Sequence, residues 1–300
     1  PLVKWFSRVK VIVNIDGLEW RRNKWSRPVR KFLKASEYLA VRYSDADISD
    51  NAAIKRYTAI TYRTLSHLIA YGADHVSPQS LTKEDYQQYP FLRSPYAFKV
   101  CRIEPENNIH TVLKAFAATR TKQLVVVGNW NNSAYGRDLR ARYASTPNLH
   151  LLDPIYDQQA LDKLRSNCFV YVHGHSAGGT NPSLVEAMYL GLPVIAFNVP
   201  YNRATTEETA LFFKDAQSLQ SLLDSTSLEA YRKIGHQLRS IAYRRYTWEA
   251  IANQYANLVL GFDYAYRKKP VYPAMRSLGH AELTKRGLGH LSHAAKLFYE

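Results

Sequence analysis

The residues best suited to bind a ligand lie between positions 171 and 200, where a predicted strand runs into a polar loop and then a helix. Pro182 suits the first turn of that helix, because proline already has the backbone angle that a helix start needs. The first turn of a helix has backbone N–H groups without partners inside the helix, and such groups bind anions. The candidate anion-binding residues are Gly178, Gly179, Thr180, Asn181 and Ser183. In the alternative interpretation, the glycines only permit close packing.

Three side chains beside this loop add hydrogen-bonding groups. Glu186 lies one turn into the helix, where it could accept hydrogen bonds from sugar hydroxyl groups; alternatively, it belongs to a solvated helix face. His173 and His175 project in the same direction from the end of a strand. They could be metal ligands, hydrogen-bonding groups for a bound ligand, or structural residues. No third ligand with suitable spacing follows them, so we expect no metal.

Strands and helices alternate on both sides of this segment. The predicted strands cover 98–103, 123–127, 149–152, 169–173 and 193–197. Such alternation indicates a parallel sheet covered by helices on both faces, which binds ligands at the carboxyl ends of its strands. A shorter β-α-β-α-β pattern precedes it, and the proline-containing stretch 74–96 is typical of a linker. We therefore predict three parts: an incomplete first domain at 1–93, a second domain at 94–246, and helices with a basic tail at 247–300 that pack back on the first domain.

The composition limits the class of protein. With 46% hydrophobic and 22% charged residues, the 300-residue chain is globular rather than disordered. No apolar run reaches the roughly 18 to 20 residues that a membrane-spanning helix needs. Cys101 and Cys168 lie in separate strand-like runs without a CxxC partner. They are therefore interpreted as small buried hydrophobic residues, which favours a reducing, cytoplasmic setting.

The net charge of +15 predicts an anionic partner. Residues 20–42 hold eight of the basic residues and one acid, Glu37, together with Trp20, Trp25 and Phe32. Cations interleaved with aromatic residues favour a helix that lies on an anionic membrane surface. The alternative is a solvated helix face with ordinary core aromatics. We do not expect nucleic acid as a partner, because no helix-turn-helix, RNA-binding or zinc-finger signature accompanies the charge.

Several segments resemble a known family in the same order along the chain. The segment from Gly178 is similar to the donor-binding stretch of glycosyltransferase family 4, and it reads GGTNPSLVEAMYLGLPVIAF. Further similar stretches are ADISDNAAIKRY, HLIAYGAD, VCRIEPENNIHTVLKAFA and QLVVVGN. The resemblance implies an α/β, GT-B-like fold, in which two doubly wound Rossmann-like domains face a cleft and the first domain is incomplete here. The stretch VNIDGLEWRRNKW resembles a bacterial polysaccharide branch that includes rhamnosyltransferases.

The resemblance also implies roles for individual residues in the second domain. Arg102 stands where the family has an arginine that contacts the donor diphosphate, and Asn108 stands where many members have a lysine. Glu186 matches the second acid of the family's Glu-x7-Glu pattern, which holds the ribose, whereas Gly178 stands at the position of the first acid. The loop with Ile155 and Tyr156 would frame the base. We expect loss of Arg102 to remove most turnover and loss of Lys99 to have little effect.

Two acids of the first domain are candidates for proton transfer. Asp16 follows the first strand, where many relatives have a histidine, and Glu19 comes three residues later. Either could accept the proton of an acceptor hydroxyl group or orient that group. Alternatively, Asp16 only caps the Asp-Gly turn.

These resemblances together predict a retaining, metal-independent glycosyltransferase. It would move a sugar, rhamnose being one candidate, from a nucleoside diphosphate-sugar to a saccharide acceptor that is lipid-linked, in bacterial surface polysaccharide synthesis. No cofactor is expected, and the protein would be cytoplasmic or peripheral on the inner face of the plasma membrane. Because the first domain is shorter than in the family, a fragment or a truncated nucleotide-binding remnant without transfer activity is an alternative. A nucleotide-sugar epimerase of the same fold is another.

Overall fold

The computed structural model describes residues 6–22, 24–119 and 121–262. Its first part contains a parallel sheet of three strands in the order β1-β2-β3. The strands and their helices are β1 (Ile12–Ile15), α1 (Arg27–Tyr43), β2 (Ala46–Ser49), α2 (Ala52–Tyr62) and β3 (His67–Leu68). The second strand is buried along its whole length, because α2 and a later helix, Trp248–Leu260, pack close to it.

Local sequence explains where the two helices of this part begin. Pro28 lies in the first turn of α1. Backbone N–H groups in the first turn have no partner inside the helix, so proline, which lacks this group, fits there without loss of a hydrogen bond. Asn51 caps α2 by accepting a hydrogen bond from the amide of Ala53 at 2.8 Å. The cap also fixes Asp50 and Asn51 at the carboxyl end of β2, beside the second domain.

The second part is a six-stranded parallel sheet in the order β6-β5-β4-β7-β8-β9. Its strands are β4 (Tyr96–Val100), β5 (Gln123–Val127), β6 (Leu149–Leu152), β7 (Val170–His173), β8 (Val194–Phe197) and β9 (Leu211–Phe213). The chain order reverses between β4 and β7, and in such sheets a ligand binds at the crevice beside this point. The fold class predicted from the sequence is therefore confirmed as α/β with parallel sheets.

Helices cover both faces of the larger sheet. They are α4 (Ile109–Thr119), α5 (Ala134–Tyr143), α6 (Gln158–Ser166), α7 (Pro182–Tyr189), α8 (Pro200–Thr205), α9 (Ala216–Ser225) and α10 (Leu228–Arg245), preceded in the chain by α3 (Lys83–Gln88). Successive side chains of β4 enter different cores, since Ala97 packs in one hydrophobic cluster and Phe98 in the other. Burial on both faces explains why these strands consist largely of apolar residues.

The last described helix, α11 (Trp248–Leu260), packs on the first sheet. Ile251 and Leu258 share a hydrophobic cluster with Ile48 and Ile69. Part of the predicted C-terminal segment therefore lies against the first domain, whereas its tail, 263–300, lies outside the described residues. No helix in the described ranges combines the length and apolarity needed to cross a membrane.

The interpretation of residues 74–96 as a linker without packed elements is wrong. The segment contains α3, which begins with a capping box between Thr82 and Asp85. Its prolines lie outside this helix, and Pro90 begins a separate short 3-10 helix. The prolines therefore separate two short helices, and a pattern rich in proline does not distinguish that arrangement from an irregular linker.

Candidate functional site

A cavity of about 450 Å³ lies at the carboxyl ends of β4 and β7, where the strand order reverses. Six of the residues predicted from the sequence line it: Arg102, His173, His175, Asn181, Ser183 and Glu186. Lys99, Asn107 and Arg165 also line it. The volume falls within the range of about 300 to 1,000 Å³ that is usual for small-molecule sites. The structure therefore brings the central part of the predicted site together.

The start of α7 forms one wall of the cavity, but the backbone amide of Ser183 already has a hydrogen-bond partner within the protein. The Asn181 side chain accepts hydrogen bonds from the Ser183 amide at 3.0 Å and from the Ser183 hydroxyl at 2.7 Å. Tyr171 donates to the Ser183 hydroxyl at 3.0 Å. The expectation of unpartnered amides at this helix start is therefore wrong for Ser183. An anion could bind that amide only after the Asn181 side chain had turned away.

Glu186 projects from α7 into the cavity with both oxygens engaged. One oxygen lies 2.5 Å from a guanidinium nitrogen of Arg165, and the other lies 3.2 Å from His75 Nε2. The Arg165 side chain is only 2% exposed, and Asp162 lies 3.6 Å away as a second, weaker partner. Glu186 is thus held in a fixed orientation by a buried cation that the sequence analysis did not identify.

Arg102 follows β4 at the rim of the cavity, and its side chain is 66% exposed. Its ion pair with Glu104 is long, at 3.9 Å. The Arg102 backbone is fixed more firmly, because its carbonyl accepts a hydrogen bond from the Asn107 side chain at 2.7 Å. Arg102 therefore combines a fixed backbone with a loosely paired guanidinium, a group that binds phosphate oxygens through two parallel hydrogen bonds.

Asn107, rather than Asn108, contributes its side chain to the cavity. The Asn107 amide oxygen lies 2.7 Å from His175 Nδ1. Asn108 has a left-handed backbone and donates a hydrogen bond to the Gly174 carbonyl at 2.9 Å. The structure thus places Asn108 behind the cavity wall, so the predicted donor contact at that position has no support from the geometry.

The two histidines are buried and uncharged at neutral pH. Burial lowers the pKa of His173 well below its usual value, and His175 and Lys99 lower it further. Burial, with the positive charges of Arg22, Lys99 and Arg102, lowers the pKa of His175 to about 4. In the described part of the chain, no group of three His, Cys, Asp or Glu side chains is placed to hold a metal. Neutral imidazoles can donate or accept a hydrogen bond, which suits a bound sugar or phosphate.

The glycine loop faces the first domain instead of the cavity. The Thr180 amide donates to the Asp50 carboxylate at 2.8 Å, and the Thr180 hydroxyl donates to the Asp50 carbonyl at 2.7 Å. A Cβ atom on Gly179 would overlap the same carboxylate, and Gly178 has a φ of +140°. These three predicted donor-binding residues therefore join the two domains, and glycine is needed where Asp50 approaches.

Asn51 strengthens this contact between domains. Its side-chain nitrogen lies 3.2 Å from the Thr180 hydroxyl oxygen, 3.2 Å from the Tyr201 carbonyl oxygen and 3.0 Å from the Thr205 hydroxyl oxygen, so its two hydrogens are shared among three acceptors. The oxygen of the Asn51 side chain thus caps α2, and its nitrogen forms hydrogen bonds to the second domain.

The predicted proton-transfer residues of the first domain do not line the cavity. Asp16 is exposed beside the domain contact, and its negative charge helps to raise the pKa of Asp50. Glu19 pairs with Arg22 at 2.7 Å and with Lys24 at 3.2 Å. Partial burial acts to raise the pKa of Glu19, but hydrogen bonds from Trp25 and Lys24 outweigh it and lower that pKa. A carboxylate held in this way is a weak base.

The loop after β6 also lies apart from the cavity. Tyr156 is 89% exposed, and Ile155 lines a separate cavity of about 280 Å³. Gln158 and Leu161 of α6 line the main cavity instead. The predicted role of Ile155 and Tyr156 in framing a base therefore has no support from the geometry.

Loss of Lys99 was expected to have little effect, and the position of the residue argues against that expectation. The residue is 2% exposed and lines the cavity from within β4. An exposed lysine after a strand would tolerate replacement, whereas a buried one at a ligand cavity is a candidate for function.

Asp50 is expected to make folding stability depend on pH. Burial raises its pKa to about 8, with the Thr180 amide acting in the opposite direction and Asp16 in the same direction. Because the folded pKa exceeds the unfolded value of 3.8, the folded chain keeps a proton that the unfolded chain loses. Stability should therefore fall as the pH rises from about 4 to about 8. Asp50→Asn, which keeps an oxygen for the Thr180 amide, should remove this part of the decline in urea unfolding.

The control for this experiment is Asp138→Asn, which removes an exposed carboxylate from α5. It should show the same dependence of stability on pH as the unchanged chain. An identical slope in the Asp50 variant would contradict the role assigned to Asp50.

Comparison with known proteins identifies the family. Residues 82–238 match the family model described as glycosyl transferases group 1, which is just over half of the chain. The chain belongs to this family. Residues 7–74 match a second model, described as a domain of unknown function, DUF1972. The predicted class of protein, a glycosyltransferase, is confirmed at this level.

One curated relative of this glycosyl transferases group 1 member is distant in sequence. A curated relative, glycosyltransferase 1 domain-containing protein 1 of Xenopus tropicalis, is 24% identical over 144 residues, which are 47% of this chain and 41% of the relative. The chain thus matches less than half the length of that relative.

Two solved structures share the fold. Sucrose-phosphate synthase of Thermosynechococcus elongatus has a TM-score of 0.70 at 21% identity, over 86% of this chain and 69% of the other. Anabaena HepE, solved in complex with UDP and glucose, has a TM-score of 0.70 at 15% identity, over 87% of this chain and 74% of the other. These likenesses establish the GT-B-like arrangement predicted from the sequence.

Proposed function

We propose that this chain transfers a sugar from a nucleoside diphosphate-sugar to a hydroxyl group of a saccharide acceptor. The observation that carries the proposal is the cavity at the β4–β7 crevice, which joins a loosely paired arginine, a helix start, an oriented carboxylate and two neutral histidines. Each of these groups suits one part of a sugar nucleotide: cations for phosphate, and the remaining groups for hydroxyls.

In the proposed reaction, negative charge develops on the leaving diphosphate as the bond to the sugar breaks. Arg102 would stabilise this charge, since its guanidinium is positive at every relevant pH and is already at the rim. Glu186 would accept hydrogen bonds from the ribose hydroxyls in an orientation that Arg165 fixes. The buried histidines would donate to the sugar or to phosphate oxygens without adding charge.

We further propose that the transfer retains the anomeric configuration and needs no metal or other cofactor, as the resemblance to glycosyltransferase family 4 implies. The acceptor would belong to a bacterial surface polysaccharide under synthesis, with rhamnose as one candidate for the transferred sugar. Asp16 and Asp50 stand on the first-domain side of the glycine loop, opposite Arg102 and Glu186. Asp50, whose pKa is about 8, is largely protonated at neutral pH, so it is suited to donate a hydrogen bond or a proton rather than to accept one.

Nucleotide binding tests the proposal most directly. UDP, GDP and dTDP should be titrated into the chain by calorimetry in the presence of EDTA, and one of them should bind. HepE was solved with UDP, which makes UDP the first choice. Absence of binding by all three at millimolar concentration would overturn the proposal.

Product analysis then separates the proposed transfer from its alternatives. With the sugar nucleotide of the base that binds, transfer should yield a free nucleoside diphosphate and a new glycoside whose anomeric configuration NMR can read. A product that stays nucleotide-linked would instead indicate an epimerase. Binding without turnover over a panel of lipid-linked saccharides would indicate a nucleotide-binding remnant.

The first domain supports a proposal for the site of action, the anionic inner surface of a membrane. Arg27, Arg30 and Lys31 of α1 line an open groove of about 770 Å³, and Phe32, 70% exposed, lies on the same helix. Exposed aromatic and basic residues on one helix suit binding to lipid headgroups, which would bring a lipid-linked acceptor near the cleft.

The chain should sediment with vesicles that contain phosphatidylglycerol but not with pure phosphatidylcholine. The double variant Phe32→Ser, Lys31→Gln should bind these vesicles more weakly. Equal sedimentation with both lipids would contradict the proposal.

A further inference from the structure

The cavity contains a buried lysine that has no acidic partner. Lys99 lies on β4, the strand at one side of the crevice, and its backbone is opposite Val126 of β5. In the part of the chain that the structure describes, no carboxylate forms an ion pair with its ammonium group. A buried ammonium without a counter-charge is unfavourable, so the folded chain is expected to contain it for a reason other than stability.

The groups around Lys99 do not neutralise it. The thiol of Cys101 is its hydrogen-bonding neighbour, and burial raises the pKa of this thiol, so it is uncharged at neutral pH. His173 and His175 are uncharged as well. Glu186 is the acid that lines the cavity, and it is paired with Arg165. Arg102 adds a second cation at the rim.

The backbone around Lys99 leaves room for its ammonium group. Gly174 follows β7, and a Cβ atom there would lie 2.9 Å from Lys99 Nζ and would overlap the Asn107 carbonyl. The absence of a side chain at Gly174 therefore lets the lysine reach the cavity between β4 and β7. The cavity thus has a cation at its floor, Lys99, as well as one at its rim, Arg102.

We infer that Lys99 binds the diphosphate of the sugar nucleotide and that this anion supplies the counter-charge that the described residues do not. The inference deepens the proposed function and rests on it. Lys99 at the floor of the cavity and Arg102 at its rim would bind the two phosphate groups at once, whereas Arg102 alone would bind only one of them. Burial lowers the pKa of Lys99, and a bound anion would favour its charged form.

Lys99→Met tests the inference, since methionine has a similar length and no charge. The variant should bind UDP, GDP or dTDP, whichever binds the unchanged chain, at least about tenfold more weakly, as expected for the loss of one hydrogen bond to a charged group. Inorganic pyrophosphate, used as a competitor, should lose affinity by a similar factor. Lys114→Met, which removes an exposed lysine from α4, is the matched control and should bind like the unchanged chain.

A second readout excludes a purely structural role. Because Lys99 is a buried charge without an ion-pair partner, the ligand-free Lys99→Met variant should unfold at the same temperature as the unchanged chain or at a higher one. A variant that fails to fold, or melts at a lower temperature, would show that Lys99 stabilises the empty protein and would overturn the inference. Undiminished nucleotide binding by a folded variant would overturn the inference but leave the proposed function intact. If the unchanged chain binds no nucleotide, both fail together.

Discussion

Replacing Arg102 by alanine should weaken nucleoside diphosphate binding about 30-fold and lower kcat/KM for the sugar nucleotide about 100-fold. The guanidinium lies at the rim of the cavity with Glu104 as a distant partner, so its loss removes contacts to ligand and leaves no buried charge unpaired. Charge-assisted hydrogen bonds are worth about 1.5 to 3 kcal/mol each. Removal of a group that stabilises charge in a transition state commonly costs about 100-fold in rate.

Calorimetry and steady-state kinetics on Arg102→Ala would measure these two effects. Arg232→Ala is the matched control, because it removes an exposed arginine on α10, away from the cavity. Folding of the Arg102 variant should be unchanged, since most of the side chain is in solvent. Equal losses in the two variants would refute the assigned role and indicate that general positive charge attracts the nucleotide.

Replacing Glu186 by leucine should lower the free energy of unfolding by about 3 kcal/mol and also abolish tight nucleotide binding. The carboxylate is the near partner of Arg165, whose side chain is almost completely buried. Removal of one member of a buried ion pair leaves an uncompensated charge, which typically costs about 3 to 5 kcal/mol. Asp162, at 3.6 Å, would compensate only in part.

A double variant separates stability from binding at this position. Arg165→Met with Glu186→Leu removes both charges, so its unfolding in urea should be close to that of the unchanged chain. It should still fail to bind nucleotide, because the proposed ribose contact is absent. Recovery of binding in the double variant would show that Glu186 has only a structural role.

The sequence predicts the larger sheet well because both faces of that sheet are buried. The predicted strands at 123–127 and 149–152 coincide with β5 and β6. A short apolar run between turn signals is typical of a buried strand, so the pattern indicates the element directly. The last strand, β9, was not predicted. It has three residues, two of them only partly buried, and such a short run gives a weak pattern.

The site could be predicted where local sequence decides it. The start of α7 follows from Pro182, and Glu186 is fixed relative to it by the helix itself. Asp50 could not be predicted in the same way, because it meets Thr180 across 130 positions of the chain. The role of Asn107 rather than Asn108 depends on the left-handed backbone at Asn108, which turns the adjacent side chains in different directions.

Lys99 shows a different limit. Its neighbours in the sequence are those of an ordinary buried strand, and the side of the sheet to which a lysine points is set by the strand register and by Gly174, which is 75 positions away. A lysine inside an otherwise apolar strand is nevertheless unusual, since charged residues are almost never fully buried unless paired. That signal was present in the sequence but was not used, since we expected loss of Lys99 to have little effect.

The contact through Asn51 bears on how the two domains can move apart. Asn51 can separate from the second domain only after the hydrogen bonds from its amide to Thr180, Tyr201 and Thr205 break. Asn51→Ser would keep a helix cap and lose the long reach of the amide, while every residue that lines the cavity stays in place. The contact between the domains and the lining of the cavity therefore depend on different residues, so that one can be changed without the other.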